Sequence, residues 1–202
     1  MKKSVVALSL AALVALAGCS TPVPSSPGGN PPQPPASGPA APAAQGGDVL
    51  AAVGLAGLSG KQIVDQLDQD PAARPLPLKA SVRYDHVVIG DGTREARVPI
   101  DGDEFYLSIA PYATQTHECF HHSLATCRGE MVSSDVHVRI VDSTGAVLVD
   151  EDATTYANGF VGFWLPRDIT GEVTVTTAGQ TGTVPFATGP QDATCLTTLR
   201  VS

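Results

Sequence analysis

Short segments in which apolar and polar residues alternate occupy most of the chain after residue 78, and they restrict the fold more than any other feature. Glycines with Asp or Asn separate these segments at a spacing of about ten residues. Short strands at this spacing are typical of an antiparallel sandwich or barrel. The predicted strands are residues 79–89, 94–100, 104–110, 135–141, 146–150, 160–165, 172–177 and 194–201.

Two short helical segments precede the strands. Residues 48–58 are apolar and indicate a short helix or a turn. Residues 61–69 place Ile63, Val64 and Leu67 on one face of a helix, with Ser59 available as an N-cap. Asp70-Pro71 ends the second helix, because a residue before proline avoids helical conformation. We therefore predict a mainly β fold of the α+β class, with a small helical N-terminal part and an antiparallel, sandwich-like C-terminal portion.

The N-terminus has the pattern of an export signal. Lys2 and Lys3 precede an apolar run over residues 5–17, and Leu-Ala-Gly-Cys ends at Cys19. This ending resembles a bacterial lipobox, which implies cleavage after residue 18 and a diacylglycerol anchor on the Cys19 sulfur. A run of this length is too short to span a bilayer, where about 20 apolar residues are needed. The sequence thus predicts a signal peptide over residues 1–18 and a lipid-anchored, extracytoplasmic protein.

Residues 19–47 are predicted to comprise the lipidated Cys19 and a disordered, proline-rich linker. Residues 20–47 contain nine of the 17 prolines and neither a charged nor an aromatic residue, a composition that cannot bury enough apolar surface to fold. The whole chain carries a formal charge of −8, which makes it a poor partner for nucleic acid. We therefore expect the linker to hold an acidic folded part away from a membrane.

Chemistry-bearing residues concentrate in the stretch THECFHHSLATC, residues 116–127. The pattern His117-Glu118-Cys119-Phe120-His121 matches the H-E-x-x-H zinc signature, in which a helix places two histidines on one face and Glu118 would serve as the base. The context disfavours this metallohydrolase hypothesis, because the motif lies between predicted strands and contains a cysteine that would compete for zinc.

Two other interpretations use the cysteines. After lipidation of Cys19, three remain, and Cys119 and Cys127 enclose a short loop that a disulfide could close in an oxidising compartment, giving a metal-free stapled lipoprotein. Alternatively, if residues 116–121 are extended, His117, Cys119 and His121 share a face, around which Cys127 and Cys195 could close. Soft thiolates favour Cu(I), imidazole also accepts Cu(II), and three sulfurs with one imidazole equally suit zinc.

Three stretches of the sequence together resemble a known family. They are SIAPYATQTHECFHHSLATCRGEM, NGFVGFWLPRD and DATCLTTL. They resemble the CueP family of bacterial extracytoplasmic copper-resistance and copper-binding proteins. The resemblance implies a three-cysteine copper site at Cys119, Cys127 and Cys195, with His117, His121 or His122 as neighbouring ligands.

The resemblance also implies an architecture and a function. It implies an N-terminal α/β portion over residues 48–103, a C-terminal β portion over residues 104–202 that binds copper, and formation of homodimers. It further implies sequestration or carriage of Cu(I) in copper tolerance, delivery to an extracytoplasmic recipient, and thiol-driven reduction of Cu(II) rather than ordinary enzymatic catalysis. We expect Cys119 and Cys127 to form the disulfide of the oxidised state, because they are closest in sequence.

Overall fold

The structure is a computed structural model that describes residues 43–202. The predicted signal peptide, the lipidation site at Cys19 and most of the predicted linker lie outside these residues. Helix α1, Ala43–Ala52, begins within the segment predicted as linker. In the described part of the chain, no helix has the length and apolar character needed to cross a membrane.

The described residues form two short helices followed by strands, which confirms the predicted mainly β class. Helix α2 is Gly60–Asp68; the Ser59 side chain accepts from the backbone N–H of Gln62, and the Gln62 side chain accepts from the backbone N–H of Ser59, the capping box of a stable helix start. The strands are β1 Lys79–Val82, β2 His86–Gly90, β3 Glu95–Pro99, β4 Glu104–Ile109, β5 Asp135–Asp142, β6 Val147–Thr154, β7 Val161–Pro166, β8 Thr170–Thr177, β9 Gln180–Ala187 and β10 Cys195–Leu196.

These strands form three sheets. The first is antiparallel with the order β1-β2-β3, and the second has four antiparallel strands in the order β6-β5-β8-β9. The third has the order β10-β4-β7, with β7 antiparallel and β10 parallel to β4. A sandwich-like apolar core joins the second and third sheets, as the strand pattern predicted.

Strand β4 is buried on both faces, and this position explains its alternating sequence. Phe105, Leu107 and Ile109 enter the core shared with the four-stranded sheet. Tyr106 enters a second core, which the two helices form with the first sheet. Because side chains alternate across a strand, Ser108 shares the face of Tyr106. This second face of β4 therefore carries polar side chains into the interior.

Some strand predictions differ from the structure, and β6 extends four residues beyond the predicted end at residue 150. Residues 79–89 form two strands, because a turn at residues 83–85 separates β1 from β2. Residues 194–201 contain only the short strand β10. Strand β9 was not predicted, because Gly182 and Pro185 interrupt its apolar pattern. Proline is tolerated there because β9 is an edge strand. Glycine is required at position 182 because a Cβ would lie 2.2 Å from the Arg200 carbonyl oxygen. The boundary at residue 103 between two portions stays a prediction.

Candidate metal centre

A long loop between β4 and β5 carries most of the candidate ligands. Residues 113–122 contain neither a helix nor a strand. The helix that the H-E-x-x-H interpretation requires is therefore not formed between His117 and His121, and residues 116–121 belong to no strand of a sheet. The loop instead returns along β1, where Ser123 pairs with Ser81 and the Leu124 N–H donates to the Ala80 carbonyl at 3.1 Å.

Hydrogen bonds to the backbone and to one side chain hold this loop between β1 and the segment that contains β10. The Val82 N–H donates to the His122 carbonyl at 2.9 Å, and the His122 N–H donates to the Thr194 hydroxyl at 2.9 Å. The Cys195 N–H donates to the Phe120 carbonyl at 3.2 Å. These bonds bring Cys195, which is far away in sequence, against the loop that contains the other two cysteines.

The return of the loop depends on two glycines. The Gly129 N–H donates to the Asn158 carbonyl at 2.7 Å, and a Cβ on Gly129 would lie 2.3 Å from the Gly159 carbonyl oxygen. Gly159 itself has a φ of +80°, a conformation that other residues rarely adopt. Close backbone contact between Gly129 and Gly159 therefore fixes the chain just after Cys127.

Four side chains converge at this place. The ligand atoms of Cys119, His122, Cys127 and Cys195 all lie within 4.8 Å of one another. The Sγ atoms of Cys119 and Cys127 are 3.4 Å apart, and Cys195 Sγ is 3.7 Å from His122 Nδ1. All three cysteines are free thiols, and Phe160 and Ala110 pack around them. Three sulfurs and one imidazole nitrogen thus form a group that can surround a metal ion.

The other two candidate histidines lie outside this cluster. The buried Nε2 atom of His117 has no hydrogen-bond partner among the described residues, and the His117 ring contacts Phe160 edge-on at 6.1 Å. The His121 ring packs against Phe120, and burial together with the charge of Arg83 lowers the pKa of His121. The structure therefore brings His122, rather than His117 or His121, to the three sulfurs.

The cluster is open to solvent on one side. Cys119 and Cys127 line an open depression of about 710 Å³ formed by residues 115–119 and 126–130. Cys195 and His122 are buried and do not line it. The rim is held by Glu130, whose carboxylate accepts from the backbone N–H groups of Ala113 and Thr114 at 2.7 and 3.0 Å. An ion could therefore reach two thiols from solvent and be held by two further ligands from within.

Proton affinities within the cluster differ between its members. Hydrogen bonds from Cys119 and Cys195 lower the pKa of Cys127, and the same kind of contact, together with burial, raises the pKa of Cys195. One thiol of the cluster loses its proton readily, because the neighbouring thiols donate hydrogen bonds to the resulting thiolate. The negative charge of that thiolate then opposes ionisation of a second thiol. The thiolate, rather than the thiol, is the form of cysteine that binds a metal, so a lowered pKa favours metal binding near neutral pH.

His122 has a fixed partner on its other ring nitrogen. Its Nε2 lies 2.8 Å from Asp68 Oδ1, and both side chains are completely buried. Burial opposes both charges, but the ion pair outweighs it, so the pKa of His122 is raised and the pKa of Asp68 is lowered. Asp68 was not among the predicted site residues. The signal was present in the sequence, because Asp68 lies four residues after Val64, on the apolar face of α2.

These features define a class of protein: a β-rich protein with a thiolate–imidazole centre, buried on one side and open to solvent on the other. The model of the family described as "Periplasmic copper-binding protein CueP" matches residues 62–200. The chain therefore belongs to the CueP family, as its sequence motifs predicted.

A solved structure supports this assignment. The crystal structure described as that of S.CueP is 45% identical in sequence and matches with a TM-score of 0.73. The match covers 76% of this chain and 94% of that chain. Among the curated proteins, none shows significant similarity to the chain.

Proposed function

We propose that this chain binds copper outside the cytoplasm as Cu(I), through Cys119, Cys127 and Cys195 with His122 as a fourth ligand. The observation that carries the proposal is the convergence of these four ligand atoms within 4.8 Å in a member of the CueP family. Sulfur ligands suit Cu(I) because both are soft. A site of three sulfurs and one imidazole also suits zinc, and family membership favours copper.

The role that fits this site is sequestration or carriage of copper, which would contribute to copper tolerance. The depression beside Cys119 and Cys127 would let copper enter and leave. Cys195 and His122 would hold the ion on the side away from solvent. A copper-receiving extracytoplasmic protein would then dock over the open side. We also propose that the chain forms a homodimer, as the family resemblance implies.

The same thiols could reduce Cu(II) before binding the product. Two thiolates, those of Cys119 and Cys127, would each give up one electron and join in a disulfide, and two Cu(II) ions would become two Cu(I) ions. Their Sγ atoms are already 3.4 Å apart. The disulfide would remove two ligands, so an external thiol would have to reduce it before the site could hold copper again.

The proposal includes attachment to a membrane. Cys19 would carry the lipid, and the proline-rich residues that follow it would act as a tether. Such an anchor would keep copper near the membrane surface. Metabolic labelling with a palmitate analogue tests it: Cys19→Ser should abolish the label, and a labelled Cys19→Ser protein would contradict the anchor.

Copper binding is tested by anaerobic competition with a chromogenic Cu(I) chelator, using the reduced full chain with Cys19→Ser to remove the fourth thiol. We expect one tightly held Cu(I) per chain. Cys119→Ser, Cys127→Ser and Cys195→Ser should each weaken binding strongly. His137→Gln removes a surface imidazole and serves as the matched control that should leave the affinity unchanged.

Two outcomes would contradict the proposal. Binding no tighter than that of a triple Cys→Ser variant would leave the thiol cluster without a role in copper binding. A parallel titration with Zn(II) tests the alternative metal. Tight zinc binding together with weak Cu(I) binding would show that the site binds zinc rather than copper.

A further inference from the structure

The Asp68 carboxylate occupies an unusual position for a charged group. It lies at the end of helix α2, completely buried, and four side chains direct donors at it. The Tyr106 hydroxyl donates to Oδ2 at 2.7 Å, Ser108 donates to Oδ2 at 3.3 Å, and Asn158 Nδ2 donates to Oδ1 at 2.6 Å. Nε2 of His122 completes the set at 2.8 Å. Burial of a carboxylate is costly unless it is paired and hydrogen-bonded, and here it is both.

We propose that Asp68 is a positioning residue of the metal centre, which fixes the His122 ring so that Nδ1 faces the three cysteines. This inference rests on the proposed function, because it assigns a role in copper binding to a residue that does not itself touch the metal. Ligating histidines commonly donate their second ring N–H to a carboxylate, which sets both the tautomer and the ring orientation.

The geometry allows one assignment of the ring nitrogens in the metal-bound state. An ionised carboxylate can only accept, so the nitrogen that contacts Asp68 must carry hydrogen. That nitrogen is Nε2, which leaves the lone pair of Nδ1 for a metal, on the side where Cys195 Sγ lies at 3.7 Å. The ring plane is also constrained, because Phe160 packs against His122 with ring centroids 4.5 Å apart.

Asp68 is itself held by elements from separate parts of the chain. Tyr106 and Ser108 belong to β4, Asn158 precedes β7, and Asp68 ends α2. The Asn158 side chain is fixed in turn, because its Oδ1 accepts from the Phe160 N–H at 3.0 Å. The carboxylate therefore has little freedom to move, and neither does the imidazole that donates to it.

The first test compares two carboxylates of the same helix. Asp68→Asn keeps the shape of the side chain and removes the charge that makes the His122 ring a better ligand. We expect it to weaken Cu(I) binding by about 10- to 100-fold, the usual effect of losing such a partner. Asp65→Asn is the matched control, because Asp65 accepts from Trp164 Nε1 at 2.9 Å and does not bond His122. Its affinity should equal that of the parent chain.

A double-substitution cycle separates a role through His122 from general damage. His122→Gln removes the ring and retains an amide that can donate to Asp68. If Asp68 acts through the ring, Asp68→Asn should cause no further loss of Cu(I) affinity in the His122→Gln chain. An equal loss with and without the His122 ring would overturn the proposal.

A measurement without any substitution at Asp68 guards against variants that fail to fold. In the reduced, Cu(I)-loaded chain labelled with ¹⁵N-histidine, His122 should show a protonated Nε2 and a metal-shifted Nδ1. A protonated Nδ1, or a metal-shifted Nε2, would overturn the inference. A parent chain that binds no Cu(I) would defeat the proposed function itself, whereas tight binding unaffected by Asp68→Asn would defeat only the role of Asp68.

Discussion

Two histidines in this molecule contact carboxylates at nearly the same distance and in very different surroundings. His122 Nε2 lies 2.8 Å from Asp68, and His137 contacts Asp152 at 2.8 Å and Asp150 at 2.9 Å. The side chains of the first pair are completely buried, whereas those of His137, Asp150 and Asp152 are 44%, 47% and 93% exposed. Distance alone would rank the contacts of the two histidines as equal.

The difference teaches that the surroundings decide the value of such a contact. Water and salt screen the His137 contacts, and exposed ion pairs contribute little to stability. No solvent screens the buried pair, so each polar group in it depends on the others. Loss of one partner then leaves a buried charge or donor without compensation, which costs far more than the contact itself contributed.

The largest effect is expected from removing one partner of the buried pair. Asp68→Ala should lower the free energy of unfolding by about 3–5 kcal/mol, the usual cost of leaving an uncompensated group in a buried pair. The donors on His122, Tyr106 and Asn158 would all lose their acceptor. Urea unfolding of the metal-free chain, followed by circular dichroism, measures the change.

Asp152→Ala is the matched control for this substitution. It removes one partner of His137 at the surface and should change the free energy of unfolding by no more than about 0.5 kcal/mol. Equal losses for the two alanine variants would mean that burial does not distinguish the two contacts.

The second prediction compares two tyrosine–aspartate hydrogen bonds. Tyr106→Phe removes only the hydroxyl that donates to buried Asp68 at 2.7 Å, and should cost about 1.5–3 kcal/mol, as expected for a buried hydrogen bond to a charged group. Tyr84→Phe removes the hydroxyl that donates to Asp168 at 3.0 Å at the surface. Its effect should be clearly smaller, because water replaces the lost partner of an exposed group.

Urea unfolding also measures this pair of variants. The comparison would fail if Tyr84→Phe were the more destabilising change. It would be sharpened if Tyr106→Phe also weakened Cu(I) binding, because Tyr106 helps to fix Asp68 and Asp68 fixes His122.

Most of the fold could be predicted from the alternation of apolar and polar residues along the strands. Alternation in residues 104–110 predicted strand β4, and the structure shows that both of its faces are buried. The parallel pairing of β10 with β4 could not be predicted, since two residues, Cys195 and Leu196, carry no periodicity. Tertiary contacts alone determine that pair.

The site was predictable where residue chemistry is unusual, and not where it is common. Three cysteines in a chain with an export signal are conspicuous, but the residues alone left a disulfide and a metal site as alternatives, and the resemblance to the CueP family implied the grouping of Cys119, Cys127 and Cys195. Asp68 was not predicted although it lies on the apolar face of α2, because the sequence does not show which buried group its carboxylate contacts. The choice among three neighbouring histidines depends on the path of an irregular loop, which no local pattern encodes.

The smallest effect concerns the pH dependence of the surface contact. Hydrogen bonds that the His137 ring donates to Asp152 and Asp150 raise the pKa of His137 above 6.5. A raised pKa means that the contact stabilises the folded chain at pH values below 6.5, and that this contribution is lost as the pH rises through the folded-state pKa. An NMR titration of the His137 ring should find the raised pKa in the parent chain.

Asp152→Asn should bring the pKa of His137 down towards 6.5, and more so than Asp150→Asn, because Asp152 makes the larger contribution. Salt at 1 M, where the screening length is about 3 Å, should lower the pKa of the parent in the same direction. A His137 pKa that did not respond to salt would mean that this contact is shielded from solvent. The difference between the surface contact and the buried pair would then result from the number of hydrogen-bond donors around each carboxylate, rather than from exposure to water.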